Sequence, residues 1–96
     1  MLILVSYDVS TMDLAGRNRL QRVSKICLNY GVRVQNSVFE CLVDSAKFEE
    51  LRFKLVTILN HSEDSLRIYH LGDNWKRKVE HYGTKVTPNL EAPLIL

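Results

Sequence analysis

No stretch of roughly 18 apolar residues occurs in this chain, so no segment reads as a helix crossing a bilayer. No basic-then-apolar segment opens it either, and the expected setting is the cytoplasm, with no membrane partner. Proline is missing from the body of the sequence: Pro88 and Pro93 are the only ones, both near the end. Internal repeats, low-complexity stretches and linkers are absent too, so the 96 residues read as one small domain. Two cysteines make no disulfide framework, and Cys27 and Cys41 share no metal-like spacing with each other or with His61, His70 and His81. Both cysteines read as reduced and buried. The last absence is local: between Arg17 and Arg33 there is no acid, while Arg17, Arg19, Arg22, Lys25 and Arg33 supply five bases. A net charge of +2 is too small to imply a nucleic-acid partner, but this one-signed segment is a field that can meet phosphates.

What is present is 46% hydrophobic and 25% charged, a globular balance. Residues 1 to 8 read as a strand ending on Tyr7 and Asp8, with Ile3, Val5 and Tyr7 on one face and Leu2, Leu4, Ser6 and Asp8 on the other. From Asp13 or Leu14 to Tyr30, the apolar residues Leu20, Val23, Cys27 and Tyr30 recur at helical spacing, and Gly31 ends the helix. VRVQNSVFECLVD is β-branched and aromatic, and predicts a short strand and a longer one broken near Asn36. Asp44 or Ser45 can cap a second helix carrying the stripe Phe48, Leu51, Leu55 and Leu59, with Asn60 at its end. After the polar turn His61 to Asp64, SLRIYHL predicts another strand.

This order, strand–helix–strand–strand–helix–strand, fits an α+β ferredoxin-like sandwich: an antiparallel sheet with two helices on one face. The other face needs cover as well, because the first strand is apolar on both sides and Val38 and Leu42 oppose Phe39, Cys41 and Val43. A homodimer through that face is the simplest cover. Residues 73–96 read as a C-terminal extension in which KVEHYG adds an edge strand. EAPLIL is expected to pair with a sheet edge of this subunit or its partner.

Asp8 then lies at a strand end on the face without helices. It is either a turn or helix-start acid or half of a two-fold pair of carboxylates. One carboxylate is a poor magnesium site, but two related by symmetry suit an ion that keeps several waters. Such an ion activates water and polarises a phosphoryl oxygen, and Arg17, Arg19 and Arg33 can hold phosphates beside it. No His or Lys is evidently placed as a separate base.

Three segments together, the strand ending in Tyr7–Asp8, then GRNRLQRV, then YGVRVQNSVFEC, resemble the CRISPR-associated protein two family, the companion of the integrase in spacer acquisition. The likeness runs through SLRIYHLG, and DNWKRKVEHYG and EAPLIL resemble the tail of one subgroup. It implies a ferredoxin-like homodimer and a metal-dependent endonuclease acting on single-stranded RNA or double-stranded DNA. Asp8 would hold Mg2+, with Mn2+ as a substitute, at the dimer interface. Tyr7, Arg17, Arg19, Arg33 and Phe39 match positions that support activity, with Ser37 and Glu40 in the same phrase. The loop VSTMDLAG is longer than in the most compact members, which bears on where Arg17 sits relative to Asp8.

The resemblance also implies a second role without cleavage, a scaffold that bridges the integrase and lays duplex DNA across a basic surface. Arg22 and Lys25 are then either phosphate contacts, with Arg17, Arg19 and Arg33, or an ordinary solvated helix face. Phe39 is either core or a base-stacking platform, and Glu40 an ion-pair partner or a ligand. Trp75 is expected to pack a tail or partner surface, and His70 and His81 to be strand residues.

Overall fold

The computed structural model of the chain describes residues 1–71 and 78–84. Seven elements follow in order: β1 (Leu2–Asp8), α1 (Leu14–Leu28), β2 (Gly31–Gln35), β3 (Val38–Leu42), α2 (Ser45–Ile58), β4 (Ser65–His70) and β5 (Lys78–Gly83). The strands make one five-stranded sheet in the order β2-β3-β1-β4-β5, and every neighbouring pair is antiparallel. The ferredoxin-like sandwich is therefore present, with β5 as the added strand.

Local chemistry sets the boundaries. The Asp13 carboxylate accepts from the Gly16 N–H at 2.8 Å and caps α1; Asp44 does the same for Lys47 N–H at 2.8 Å and caps α2. Each helix stops slightly short of the expected end, α1 at Leu28 with Asn29 as its cap and α2 at Ile58 with Leu59 as its cap. The break near Asn36 is a turn between β2 and β3, and the register slips between Arg33 and Gln35.

The core lies between the sheet and the helices. Ile3, Val5, Phe39, Cys41, Leu66 and Ile68 from the strands meet Val23, Cys27, Phe48, Leu51 and Leu55 from the helices. Each large aliphatic side chain buried there stabilises the fold by about 1.5–3 kcal/mol. Both cysteines are free and buried in this layer, and burial pushes their thiols up, Cys27 to about 12 and Cys41 to about 11. They stay protonated at neutral pH and are chemically quiet.

The opposite face carries no helix. Leu42 is 78% exposed and Val32 62%, values that leave a large apolar surface open in the single chain. KVEHYG joins the β4 edge of its own chain and becomes the outer strand on that side of the sheet. Trp75 and EAPLIL lie outside the described residues, and with them the expected packing of the tail. No helix among the described residues is long and apolar enough to cross a membrane.

Candidate active site

Strand register decides which residues share a face with Asp8. β1 alternates, so Ile3, Val5 and Tyr7 go into the core while Leu4, Ser6 and Asp8 face the uncovered side. Asp8 pairs with Ser65, Ser6 with Arg67 and Leu4 with Tyr69 on β4, and Ser6 pairs with Val38 and Leu4 with Glu40 on β3. Residues directly opposite in an antiparallel ladder project to the same side. Ser65, Arg67 and Tyr69 therefore join Asp8 on one flank, and Val38 and Glu40 lie on the other.

A concavity of about 200 Å³ opens at that strand end, lined by Ser6, Tyr7, Asp8, Ser65 and Arg67. His81 on β5 stands behind it, its Nε2 3.1 Å from the Ser65 hydroxyl. Burial and then the Arg67 charge hold the His81 imidazole below its ordinary pKa, so it is neutral at pH 7. Ser37 sits at the same end, where its carbonyl accepts from the Tyr7 N–H at 3.1 Å. Glu40 is exposed further along the face, beside Leu4 and Tyr69 in a second, larger concavity of about 470 Å³.

The other residues expected in the site lie elsewhere. Tyr7 is 3% exposed, and its hydroxyl and that of Ser24 on α1 are 2.7 Å apart, so its ring belongs to the core although its backbone borders the concavity. Phe39 is wholly buried and stacks on Tyr7 at 5.9 Å between centroids. It offers no face to a base, which corrects the platform reading. Arg33 pairs with Phe39 in the ladder and lies over its ring at 5.1 Å, on the helix side of the sheet and away from Asp8.

Arg19 also has a different engagement from the one expected. Its guanidinium pairs with the buried Asp64, Nε to Oδ2 at 2.8 Å, rather than pointing into the open concavity. Arg17 reaches the Thr11 carbonyl at 3.4 Å, in the loop that leaves β1, and so stays near the Asp8 end. Arg22 and Lys25 are exposed on α1, in the layer opposite Asp8's face.

Sequence reasoning misses Arg67, because nothing adjacent to Asp8 in the chain points to it. The signal lies in SLRIYHL: Leu66 and Ile68 are inside, so Arg67 and Tyr69 must be outside. Only the pairing of β1 with β4 brings that arginine to the acid.

The sequence profile of the CRISPR-associated protein Cas2 family matches residues 1–79. The chain belongs to the Cas2 family. The CRISPR-associated endonuclease Cas2 of Halalkalibacterium halodurans is 54% identical over 95 residues, 99% of each chain. The endoribonuclease Cas2 of Chlorobaculum tepidum is 55% identical over the full length of both. The crystal structure of Streptococcus pyogenes Cas2 at pH 6.5 superposes with a TM-score of 0.71 at 52% identity, covering 78% of this chain and 90% of that one. These relatives are named as nucleases, one without a stated substrate and one for RNA.

The donor set around the concavity tests the metal that the family implies. Its oxygens are the Asp8 carboxylate and the hydroxyls of Ser6 and Ser65, while both thiols are in the core. Among the described residues, no three His, Cys, Asp or Glu side chains gather as a metal site. Hard oxygen donors with one carboxylate fit an ion of the magnesium type that keeps its waters, provided a second copy brings a second carboxylate.

Proposed function

We propose that the protein cleaves phosphodiester bonds as a two-fold homodimer joined through the uncovered sheet face, with the Asp8 carboxylates of both copies holding one Mg2+, or Mn2+ in its place. The observation that carries this reading is the shared face: Asp8, Arg67 and the exposed apolar residues Val32 and Leu42 all lie on the side without helices. Covering the apolar surface with a second copy brings two Asp8 side chains into one interface. When bound, the ion supplies Lewis-acid polarisation of a phosphoryl oxygen and a more acidic water. Arg67 orients the phosphate beside Asp8, and its charge offsets what develops on the phosphoryl oxygens in the transition state. The neutral His81 holds the Ser65 hydroxyl at the back of the concavity. Arg17 lies at the same end of the sandwich and reaches the strands leaving the site.

The test is cleavage of single-stranded RNA and of duplex DNA in magnesium, manganese or chelator, across protein concentrations that dissociate the dimer. Activity per subunit is expected to fall with dilution and to vanish in chelator. Arg67→Ala is expected to weaken binding about equally for all substrate sequences and to reduce the salt slope by about one phosphate. Unchanged specific activity in a monomer at high dilution would sink the shared site.

A second role is supported by α1. Arg22 and Lys25 are exposed and make no ion pair among the described residues, so they present cations on the layer remote from Asp8. That surface suits a scaffold in which the dimer bridges the CRISPR integrase and binds duplex DNA through its backbone. Cleavage then belongs to the dimer interface, and scaffolding to the outer helical layers.

A further inference from the structure

Behind the strand end that carries Asp8, Arg19 and Asp64 form a buried latch. Asp64 is wholly buried, yet all its acceptor positions are used in pairs. Oδ1 accepts from Ser10 N–H at 3.0 Å and Arg19 Nη2 at 3.3 Å; Oδ2 accepts from Arg19 Nε at 2.8 Å and Asn60 N–H at 2.9 Å. Burial alone would raise this carboxyl, but the Arg19 and backbone hydrogen bonds outweigh it and hold it below the ordinary carboxylate range.

The main chain of Asp64 is tied as well. Its N–H donates to the Asn60 carbonyl at 2.8 Å, and its carbonyl accepts from Thr84 N–H at 3.0 Å. That last approach needs Gly83, whose φ is +110°, since a Cβ there would come within 1.9 Å of the Asp64 carbonyl oxygen.

These contacts bracket Asp8 from two sides. Ser10 lies two residues beyond Asp8, and Ser65, the residue after Asp64, is the ladder partner of Asp8. The latch thus fixes both the chain leaving the acid and the strand opposite it. Arg19 has Nε and Nη2 on Asp64, Nη2 is also 3.5 Å from Glu63, and only 15% of the side chain is exposed. A guanidinium so engaged has little left for a phosphate.

We propose that Arg19 and Asp64 are a positioning pair for Asp8, setting its carboxylate where two copies can share an ion, and that Arg19 acts through Asp64 rather than on the substrate. This rests on Asp8 being the metal ligand. Displacing a reacting group by about 1 Å costs on the order of 100-fold, so a loose latch is felt in turnover rather than in substrate affinity.

The experiment compares Asp64→Asn, Arg19→Gln, Arg19→Lys and the double Arg19→Gln/Asp64→Asn variant with the wild type and Asp8→Asn. Folding and dimerisation are checked first. Mn2+ binding is then titrated without nucleic acid by electron paramagnetic resonance, and kcat and KM are measured separately. Each latch variant is expected to weaken Mn2+ binding and lower kcat by about 10–100-fold, the range for residues that orient metal ligands, with KM unchanged. The double variant should be no worse than the worse single, because the pair works as one unit. Lysine should not rescue, because it lacks the forked donors. The double variant, which leaves no unpaired buried charge, carries the test if either single variant fails to fold.

A raised KM and flatter salt dependence in Arg19→Gln, with wild-type Mn2+ binding, would overturn the proposal and return Arg19 to the phosphate. Wild-type Mn2+ binding and cleavage in Asp8→Asn would instead overturn the metal reading beneath it. Loss of both in Asp8→Asn, with folded latch variants at wild-type values, would remove the latch alone.

Discussion

Asp8→Asn is expected to lower cleavage by about 10³-fold or more, a loss of the size seen when a group stabilising transition-state charge is removed. That corresponds to about 4 kcal/mol of barrier. The substitution keeps the side chain's shape, removes its charge and turns one acceptor oxygen into an NH2 donor. Asp8 is exposed at a strand end, so the variant is expected to fold, which circular dichroism checks.

A shared site makes two further demands. In chelator, two wild-type carboxylates facing each other repel, so the amide variant should dimerise at least as tightly as the wild type. With magnesium the order should reverse, since only the wild type gains the ion's binding energy. Heterodimers of one wild-type subunit and one Asp8→Asn subunit, isolated through two different tags, give the sharpest reading. If both carboxylates are needed, the heterodimer falls far below half of wild-type activity; half activity would mean that each acid works alone. An Asp8→Asn homodimer that cleaves normally in magnesium would refute the assignment.

How far the sequence led depends on the range of the interactions involved. The start of α1 at Asp13 or Leu14, the cap of α2 at Asp44 or Ser45, the alternation of β1 and the break near Asn36 are short-range features, and all were legible from neighbouring residues. So was the face on which Asp8 lies, because period-two alternation fixes it once Ile3 and Val5 are inside. The cations were harder. Arg17 and Arg19 follow Asp8 closely in sequence, which drew attention to them, but a helix after a strand packs on one sheet face and Asp8 points to the other. The arginine that does reach its concavity is on β4, brought there by a long-range ladder. Asp64 read as an ordinary acid in a polar turn. Its burial arises where the chain after β1, helix α1 and the turn before β4 converge, and no local pattern encodes that convergence.

For Phe39 the fold decides between core and platform in favour of core, and its replacement should have the largest effect on stability. The ring is wholly buried, stacked on Tyr7 with an interplanar angle of 21° and capped by the Arg33 guanidinium at 5.1 Å. Phe39→Ala removes this contact layer in the middle of the sheet and leaves a cavity, at a cost of about 3–5 kcal/mol. Native domains have only about 5–15 kcal/mol in total, so the variant keeps a small margin or none. For a domain of this size each kcal/mol shifts Tm by about 4–8 °C, which puts the expected fall well above 10 °C at fixed protein concentration. Phe39→Leu separates packing from stacking. Leucine preserves most of the buried apolar surface but has no ring, so Tm should drop far less and nucleic-acid affinity should stay within about twofold of wild type, an energy difference well under the stacking contribution of about 1–3 kcal/mol per base. The opposite pattern, a folded Phe39→Leu protein with unchanged Tm and a tenfold loss of affinity for single-stranded RNA, would mean that the sheet opens to present the ring to a base. With the ring held between Tyr7 and Arg33 on the helix side, the expected losses are in stability rather than in nucleic-acid binding.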